Sequence, residues 1–362
     1  MTWGCTKDQD QGYDISLFDY DLPEDLIAQH PADRRENSRL LVLDRQTGQT
    51  AHRRFYELPL ILNASDVLVV NDTRVIPARL FGHKSTGGKA EVLVDYADGC
   101  TTGTDPYRFE CTCMIRASRA PKPGTRILFD QGLSGRVISS DKGRYRVEFT
   151  SETPFHRVLE DIGRVPLPPY IRRPEDECEN RDRENYQTVY AARNGAAAAP
   201  TAGFHFSGPL MEKLQNQGTE IITVTLHVSY GTFMPVRVSD IREHEIHTEH
   251  YEISPESAER INAARREGRR IVAVGTTSVR TLEYASDQHS TIRPGSGKCD
   301  LFIYPGYRYK TVEAMITNFH LPKSTLLMLV SAFAGRKNIL AAYNEAIKKR
   351  YRFFSYGDAM II

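Results

Sequence analysis

The stretch Arg270-Ile271-Val272-Ala273-Val274-Gly275-Thr276-Thr277-Ser278 decides the fold class, because it joins an apolar strand directly to a helix. The strand Tyr251-Glu252-Ile253 precedes it, and Ser254-Pro255 open a helix between the two strands that ends near Gly268. A strand, a helix and a second strand in this order predict a β-α-β unit with parallel pairing. We therefore expect a mixed α/β main domain.

Other segments extend this domain and interrupt it. Residues 38–44 read as a strand that the turn at residues 46–48 returns into a second strand, and Asp66 to Val70 read as a strand buried on both faces. Short alternating strands broken by Gly, Pro, Asp and Ser turns fill residues 76–150, which predicts a small β-barrel or sandwich. The predicted division is an α/β domain of residues 1–75 and 151–362 with a β-barrel domain, residues 76–150, inserted into it.

Composition limits the classes of protein that need to be considered. The 362 residues carry 47 Lys and Arg against 46 Asp and Glu, so the global charge gives no indication of a nucleic-acid partner. The longest apolar run, Thr325 to Ala334, fits a core helix and not a membrane span. The polar start, Met1 to Gly12, lacks the apolar region of a signal peptide. We expect a cytoplasmic protein whose six cysteines are all reduced.

One region of the barrel is strongly basic. Between Arg116 and Arg146 eight basic residues face only Asp130 and Asp141, a local charge of +6. A solvated surface is the ordinary interpretation, and contact with phosphates is the functional one. The basic residues are Arg116, Arg119, Lys122, Arg126, Arg136, Lys142, Arg144 and Arg146.

Two segments join polar residues to the start of an apolar helix. Thr317-Asn318-Phe319-His320 precede Ser324, the predicted N-cap of the helix over the apolar run, and polar atoms crowded there predict a ligand site or a capped core helix. The segment Gly275 to Arg280 offers free backbone N–H groups and hydroxyls to a carboxylate or phosphate. A plain capped helix is the alternative there too. The dinucleotide pattern G-x-G-x-x-G and the P-loop are absent from the sequence.

Histidines and small residues mark three further candidates. Gly195 to Phe206 is a run of small residues that ends in Phe204-His205-Phe206, where a ligand can approach the backbone. His227 lies at a predicted strand end. Within His244 to His250 the spacing differs from the H-E-x-x-H of zinc proteases, so hydrogen bonds from His247 and Glu249 to a polar substrate are favoured over a metal site.

Aromatic residues supply the last candidates. Pro305-Gly306-Tyr307-Arg308-Tyr309 follows a predicted strand, Leu301 to Ile303, and its tyrosines could stack on a base or enclose a cation. Core packing is the alternative. The apolar residues at 359–362 are expected to add a strand to the sheet.

Taken together, these blocks resemble one family, the S-adenosylmethionine:tRNA ribosyltransferase-isomerases of queuosine biosynthesis. The resemblance covers nearly the whole chain after the first dozen residues. Phe204, Ser229-Tyr230 and Ile246 depart from the family's pattern, and Tyr230 beside His227 could narrow the pocket. The blocks that carry the resemblance are Ser38-Arg39-Leu40-Leu41, Asn71 to Leu80, Ala199-Pro200-Thr201-Ala202-Gly203, Val274 to Arg280, Thr317 to Pro322 and Phe353 to Met360.

The resemblance implies an uncommon use of S-adenosylmethionine. The family transfers and isomerises the ribosyl unit of this co-substrate onto 7-aminomethyl-7-deazaguanine at the tRNA wobble position, and epoxyqueuosine, adenine and methionine result. The sulfonium acidifies the neighbouring C5′ protons, so that a positioned base can remove one. Such a site needs a base, a donor to adenine, a grip on the methionine carboxylate and an aromatic or apolar cage for the sulfonium.

The sequence offers candidates for each role. Asp72, His205, His227 and His320 are the acid–base candidates, and Gly275, Thr276, Thr277, Ser278 and Arg280 are expected to hold the carboxylate. Tyr307 and Phe206 are the cage candidates, and Thr317 and Asn318 are expected to read a nucleobase edge. The tRNA-binding candidates are Arg116, Arg119, Lys122 and Arg126. The remaining substrate-binding candidates are Arg39, Asn71, Thr73, Arg74, Thr201, Gly203, Gly231, Thr232, His247, Glu249, Pro305, Gly306, Phe319, Tyr356 and Asp358.

Three other functions remain open on the sequence. An S-adenosylmethionine-dependent RNA methyltransferase would share the co-substrate, and a non-catalytic RNA-binding module would use the basic barrel. A metal hydrolase would use His244, His247 and His250. The expected partner is a tRNA carrying the aminomethyl-deazaguanine, with no membrane, no metal and no prosthetic group, and the expected assembly is a monomer or a weak homo-oligomer.

Overall fold

A mixed nine-stranded sheet and a small barrel make up the structure, a computed structural model that describes residues 12–96, 100–102, 105, 107–173 and 179–362. The first eleven residues of the predicted polar start lie outside this range, and so do Cys5 and Cys178.

Eighteen strands and seven α-helices lie in the described residues. The strands are β1 Arg39–Leu43, β2 Thr50–Arg54, β3 Asp66–Asn71, β4 Thr73–Val75, β5 Arg79–Lys84, β6 Lys89–Asp95, β7 Thr101–Thr102, β8 Arg108–Ala117, β9 Arg126–Leu128, β10 Ser134–Asp141, β11 Arg144–Thr150, β12 Arg193–Ala196, β13 Glu220–His227, β14 Glu249–Ile253, β15 Arg270–Val274, β16 Gly295–Cys299, β17 Ala314–Asn318 and β18 Ala359–Ile361. The helices are α1 Phe155–Ile162, α2 Glu179–Asn185, α3 Gly208–Asn216, α4 Pro255–Arg266, α5 Gly275–Ala285, α6 Thr325–Ala334 and α7 Arg336–Lys348.

Four parallel strands form the centre of the large sheet. Its order is β16-β14-β13-β3-β15-β17-β18-β1-β2, and β13, β3, β15 and β17 run in the same direction. Strand β3 alternates between two cores: Val67 and Val69 pack on one face of the sheet, and Leu68 and Val70 on the other. This confirms the prediction of a strand buried on both faces. The carboxyl ends of the four strands meet at one edge, where α/β sheets commonly bind ligands.

The predicted β-α-β unit is wrong in its pairing. Strand β14 pairs antiparallel with β13, which runs parallel to β3 and β15, so β14 and β15 run in opposite directions and are separated by two strands. Helix α4 and strand β15 do form where the sequence predicted them. The order of elements along the chain predicted correctly which segments are strand or helix, but not which strands pair. Strand β14 pairs with β13, the strand before it in the sequence, and not with β15.

The chain's last strand lies inside the sheet. Strand β18 pairs parallel with β1 and antiparallel with β17, which confirms the predicted docking. Its antiparallel register places Asn318 opposite Ala359, so the segment Phe354 to Asp358 arrives at the same edge as the end of β17. The C-terminal residues therefore reach the candidate site.

The inserted unit is a closed barrel. Strands β5, β6, β8, β11, β10 and β9 pair in turn, β9 returns to β5, and β7 pairs with β8 outside the ring. Helix α1 covers the barrel core: the ring of Phe155 stacks on Phe109 and Phe149 at centroid distances of 4.9 and 5.0 Å. The mixed α/β fold with an inserted β-barrel is thus confirmed, and the exact domain boundaries at residues 76 and 150 stay a prediction.

The expectation that all six cysteines are reduced is wrong for two of them. Cys100 and Cys111 form a disulfide, whereas Cys113 and Cys299 are free and buried. Cys111 and Cys113 share the buried face of β8, because residues two apart in a strand point to the same side of the sheet.

The described residues offer neither a cluster of metal ligands nor a single membrane-spanning helix. They hold no group of three or more His, Cys, Asp or Glu side chains arranged to bind a metal ion. None of their helices is by itself long and apolar enough to cross a bilayer. Helices α6 and α7, which are bent by 114° at Gly335, have the length and composition of a membrane span only when they are taken together. Most residues of α6 are buried in the core, as predicted.

Candidate functional site

Two neighbouring cavities open at the carboxyl edge of the parallel strands. The first, which we call the Asn318 cavity, has a volume of about 80 Å³ and is lined by Tyr170, Ala199 to Ala202, Val228, Thr232, Phe233, Gly275 to Thr277, Thr317 to Leu321, Ser324, Leu326, Phe354 and Ser355. The second, the Glu249 pocket, has a volume of about 370 Å³ and is lined by Gly231, Thr232, Met234, Pro235, Arg237, Val238, Glu243 to His247, Glu249, Arg280, Phe302, Ile303, Thr325, Leu326 and Leu329. Because Thr232 and Leu326 line both, the two adjoin.

Asn318 organises the floor of the first cavity. Its amide nitrogen donates to the carbonyl of Phe354 at 3.0 Å, and its amide oxygen accepts from the hydroxyl of Thr201 at 3.4 Å. The same nitrogen lies 3.4 Å from Nε2 of His205, whose Nδ1 lies 2.7 Å from the hydroxyl of Ser38. Burial lowers the pKa of His205 to about 4, so this imidazole is neutral at pH 7.

His320 is a second neutral imidazole at the cavity wall. Its Nε2 lies 2.8 Å from the hydroxyl of Thr317, and its backbone N–H donates to the hydroxyl of Tyr343 at 3.0 Å. The hydroxyl of Tyr20 donates to its carbonyl. Burial lowers the pKa of His320 to about 3. Thr317 therefore orients a neutral ring beside the cavity, and two tyrosine hydroxyls hold the backbone of the same residue.

The start of helix α5 supplies donors to the same cavity. Gly275 has φ +84°, which an L side chain rarely adopts, and this turn lets the helix begin directly at the strand end. No side chain caps the helix, and the first N–H groups of a helix lack partners within it. The hydroxyl of Thr277 is buried without a hydrogen-bond partner among the described residues. Ser278 instead donates to the carbonyl of Val274 at 2.8 Å.

The predicted use of Arg280 as a free cation needs correction. Its guanidinium is buried, pairs with Glu249, and donates to the carbonyls of Leu301 and Cys299. Glu249 in turn accepts from the backbone N–H of Ser229 at 3.0 Å. Glu249 therefore already neutralises Arg280 in the second pocket. The segment Leu301 to Ile303, predicted as a strand, is irregular, and the Leu301 carbonyl serves this arginine.

Other predicted residues of the second pocket come together there. Gly231, Thr232 and His247 line it beside Glu249, and an added Cβ at Gly231 would lie 2.5 Å from the His247 ring. The pocket therefore needs glycine at position 231 as long as His247 keeps its place.

Asp72 and His227 form a separate group that lines neither cavity. Asp72 accepts from the hydroxyl of Thr225 at 2.6 Å, and burial raises the pKa of this carboxyl. Nδ1 of His227 lies 2.8 Å from the hydroxyl of Thr73, and burial, with His250 nearby, lowers the pKa of His227 to about 4. The four predicted acid–base residues are therefore divided between two places.

Several predicted ligand contacts are structural in this arrangement. Asn71 exchanges hydrogen bonds with the backbone of Leu226, and the guanidinium of Arg74 donates to the carbonyl of Ala191. Arg39 pairs with Asp358 at 3.1 Å, and neither residue lines the two cavities.

The two cage candidates lie away from the cavities as well. Phe206 is fully buried in the core beside Phe55, and the hydroxyl of Tyr307 donates to Glu283 at 3.1 Å. Pro305 and Gly306, on the same turn as Tyr307, also line neither cavity. The sulfonium cage stays a prediction, and neither of its two members lines the two cavities.

Three more predicted residues, Phe319, Gly203 and Tyr356, lie beside the cavities or close to other side chains. Phe319 lines the Asn318 cavity but is fully buried in the core. Gly203 lies so close to Tyr190 that an added Cβ would stand 2.1 Å from its hydroxyl oxygen. Tyr356 lines another cavity, of about 140 Å³, that His205 lines as well.

The side chains of the Asn318 cavity and its network that sequence reasoning missed include Ser38, Phe354 and Tyr170. Ser38 and Phe354 belong to the sequence blocks Ser38 to Leu41 and Phe353 to Met360, which carry the family resemblance. Membership of these blocks is the signal that could have indicated them. Tyr170 follows Leu167-Pro168-Pro169, where no pattern indicates function. It lines the cavity and bonds Ser355, with 2.7 Å between their side-chain oxygens.

The four predicted tRNA-binding residues are exposed on the barrel. They are Arg116, Arg119, Lys122 and Arg126. Three other basic residues of the same run have carboxylate partners: Arg136 pairs with Glu148, Arg144 with Asp95 and Arg146 with Glu110.

The fold defines a mixed α/β protein with two adjoining cavities, which we together call the cleft, at the carboxyl edge of its sheet and a barrel inserted into the chain. The model of the family described as queuosine biosynthesis protein matches residues 15–362. The chain belongs to this family, and the resemblance seen in the sequence blocks is confirmed.

Named relatives match along the chain. It is 49% identical over 350 residues to an S-adenosylmethionine:tRNA ribosyltransferase-isomerase of Syntrophotalea carbinolica, and 51% identical over 351 residues to the one of Symbiobacterium thermophilum; each match covers 96% of this chain and 99% of the relative. The crystal structure of the S-adenosylmethionine tRNA ribosyltransferase of Thermotoga maritima has a TM-score of 0.54 and 36% identity, over 96% of this chain and 100% of that one.

Proposed function

We propose that this protein transfers and isomerises the ribosyl unit of S-adenosylmethionine onto 7-aminomethyl-7-deazaguanine at the wobble position of tRNA, giving epoxyqueuosine, adenine and methionine. The observation that carries the proposal is identity of about half the residues, over 96% of the chain, to relatives that bear the name of this enzyme. The blocks that line the Asn318 cavity support it, because they are those on which the resemblance rests.

The Asn318 cavity supplies a grip for an amino-acid carboxylate. The start of helix α5 offers backbone N–H groups, and Thr277 offers a buried hydroxyl without a partner among the described residues. A carboxylate placed there gains hydrogen bonds and the favourable end of the helix dipole. Because Glu249 already engages Arg280, this grip uses the helix start without the arginine.

His320 is the acid–base candidate that the geometry favours. It lines the cavity, whereas Asp72 and His227 do not. Burial keeps the ring neutral at pH 7, which is the form that can accept a proton from the carbon next to the sulfonium, and the same lowered pKa makes it a weaker base than a solvated imidazole. His205 lies one hydrogen bond behind Asn318, and this contact supports a positioning role for it in the proposal.

The proposal also covers the second substrate, the compartment and the assembly of the enzyme. The second substrate is a tRNA that carries the aminomethyl base, S-adenosylmethionine is a co-substrate, and no prosthetic group takes part. A tRNA substrate fits a cytoplasmic enzyme that acts as a monomer or weak homo-oligomer. The barrel of residues 76–150 acts as a separate RNA-binding domain.

The test is a turnover assay with S-adenosylmethionine and tRNA that either carries or lacks the aminomethyl-deazaguanine. Release of adenine and methionine with the modified tRNA alone is the expected result, and a His320→Ala variant serves as the matched control. S-adenosylhomocysteine as product would make the protein a methyltransferase instead. Release of none of these products would contradict the proposal.

A further inference from the structure

A third pocket lies between the barrel and the large sheet. It has a volume of about 520 Å³, and its lining includes Met114 and Arg116 from β8, Pro168 and Arg172 from the loop after the barrel, and Tyr230. We call it the interdomain groove. Four arginines and one carboxylate line it: Arg79, Arg116, Arg172, Arg173 and Glu91. A groove of this charge attracts a polyanion.

A single helical turn, Tyr230–Phe233, connects this groove to the cleft. Tyr230 lines the groove, Thr232 lines both cavities of the cleft, and Phe233 lines the Asn318 cavity. Tyr230 also packs against the barrel core, so this turn of the main unit reaches both parts of the protein. The groove and the Asn318 cavity are therefore two residues apart along the chain, at Tyr230 and Thr232.

Aromatic rings continue this connection in space. The ring centroid of Tyr230 lies 5.4 Å from that of Phe233, Phe233 lies 6.1 Å from Tyr170, and Tyr170 lies 4.8 Å from Phe354. Phe233, Tyr170 and Phe354 all line the Asn318 cavity. We call these four residues the aromatic row. The rings meet edge-on or tilted, at interplanar angles of 73°, 85° and 51°, and Phe354 is buried, so the row is an apolar connection in which half-buried Tyr230, at the outer end, is the ring on which a flat, unpaired base can stack.

The charged side chains at the groove are placed to meet phosphates. Arg116 is exposed on β8. Arg172 is 83% exposed, and its contact to the equally exposed Glu24, at 3.7 Å, is of the kind that contributes little. Arg79 pairs with Glu91 at 2.7 Å and Arg173 with Asp182 at 2.9 Å, so two of the four arginines are already engaged. The exposed cations thus flank the outer end of the aromatic row.

We propose that the interdomain groove holds a single-stranded segment of the tRNA anticodon loop, with Tyr230 stacking on a base next to the modified nucleotide and Arg116 and Arg172 contacting the backbone phosphates. This inference rests on the proposed function and adds to it the path by which the RNA reaches the cleft. Single-stranded RNA suits such a site because its unstacked bases can lie on aromatic side chains. Tyr230 is then a specificity-determining residue.

The test measures binding and turnover separately. The full-length protein is titrated with an unmodified anticodon stem-loop carrying 2-aminopurine on the 5′ side of the wobble base, and with a second carrying it on the 3′ side. Tyr230→Phe keeps the ring and should bind like wild type, with quenched fluorescence. Tyr230→Leu keeps the apolar packing against the barrel but loses the stacking surface, and should weaken RNA binding about tenfold and abolish the quenching.

Matched controls separate this role from a structural one. Tyr56→Ala changes an exposed tyrosine that lines none of the pockets, and should leave RNA binding unchanged. Charge reversal at Arg116 or Arg172 should reduce the slope of log affinity against log salt, by about one for each phosphate that the variant no longer neutralises, whereas Arg136→Glu should not. The KM for S-adenosylmethionine should be the same in wild type and in Tyr230→Leu.

The outcomes distinguish this inference from the proposed function. If wild type releases adenine but Tyr230→Leu binds the stem-loop as wild type does, the groove is not the RNA path and the enzymatic proposal survives. If Tyr230→Leu lowers turnover at saturating RNA without weakening RNA binding, Tyr230 shapes the cleft and the inference is wrong. If wild type binds the stem-loop with Tyr230-dependent quenching but releases no adenine, the groove is supported and the proposed function fails.

Discussion

Glu249 and Arg280 form an ion pair that is almost completely removed from solvent, with side-chain exposures of 3% and 8%. The arginine also donates to two carbonyls, and the carboxylate accepts from the backbone of Ser229. The pair thus connects β14, helix α5 and the chain that leads into the turn Tyr230–Phe233. It fixes the wall of the Glu249 pocket.

Removing one partner of this pair should destabilise the protein strongly. Glu249→Gln leaves the arginine buried without its counter-charge, and we expect a loss of about 3 kcal/mol in the free energy of unfolding. The double variant Glu249→Gln, Arg280→Gln should lose less than the sum of the two single changes. Urea unfolding of the four proteins measures this coupling. Strict additivity would contradict it.

Thr277→Val tests the carboxylate grip at the start of α5. Valine has nearly the same shape, and removing a buried hydroxyl without a partner should leave the protein equally stable or more stable by about 1 kcal/mol. If the hydroxyl binds S-adenosylmethionine, its KM should rise about tenfold while the KM for tRNA stays constant. Ser278→Ala is the control, because that hydroxyl is bonded to Val274. An unchanged KM in Thr277→Val would remove this residue from the site.

His320→Gln should lower kcat at least a hundredfold with little change in either KM, because an amide cannot accept the proton. Thr317→Val leaves the imidazole but removes its hydroxyl partner, and should cost about tenfold. Single-turnover measurements of adenine release give both values. Activity of His320→Gln within a few-fold of wild type would exclude His320 as the base.

The buried histidines should make the protein sensitive to mild acid. Burial lowers the pKa of His205 to about 4 and that of His320 to about 3, whereas the unfolded chain titrates near 6.5. A lowered histidine pKa means that the stabilisation is complete above about pH 6.5 and is lost as the pH falls towards the folded values. Each of the two should cost about 1.4 kcal/mol per pH unit between pH 6 and 4.

Urea unfolding at pH 7, 6, 5 and 4 measures this slope. The slope of His205→Gln should be smaller than that of wild type by the contribution of one histidine. Parallel stability curves for the two proteins would show that His205 does not stay neutral in the folded state.

Much of the fold could be predicted from local signals. Helix α3 begins after Ser207, whose hydroxyl accepts from the N–H of Leu210, and β15 has the bounds read from its apolar residues. Such features depend on neighbours in sequence, so one sequence is enough to find them. The polar segment Thr317 to His320 and the helix start at Gly275 could be picked out from the sequence for the same reason.

What could not be predicted depends on partners distant in sequence. The pairing of β14 with β13 and the engagement of Arg280 by Glu249 are set by packing among segments about 30 residues apart, which local patterns do not encode. Phe206 looked like a cage residue beside His205, but adjacent side chains can point to different sides, and this one enters the core. The disulfide between Cys100 and Cys111 joins residues whose spacing alone gave no reason to pair them.

The place of β18 has a consequence for how the protein is made. Strands β1 and β2 attach to the rest of the large sheet only through β18 in the observed strand order, so residues 39–54 have no sheet partner beyond each other until residues 359–361 have been synthesised. The barrel, whose strands are close in sequence, can close much earlier on the ribosome. The cleft around Asn318 would then be the last part to form, and a nascent chain would carry a folded barrel long before it could bind a small molecule.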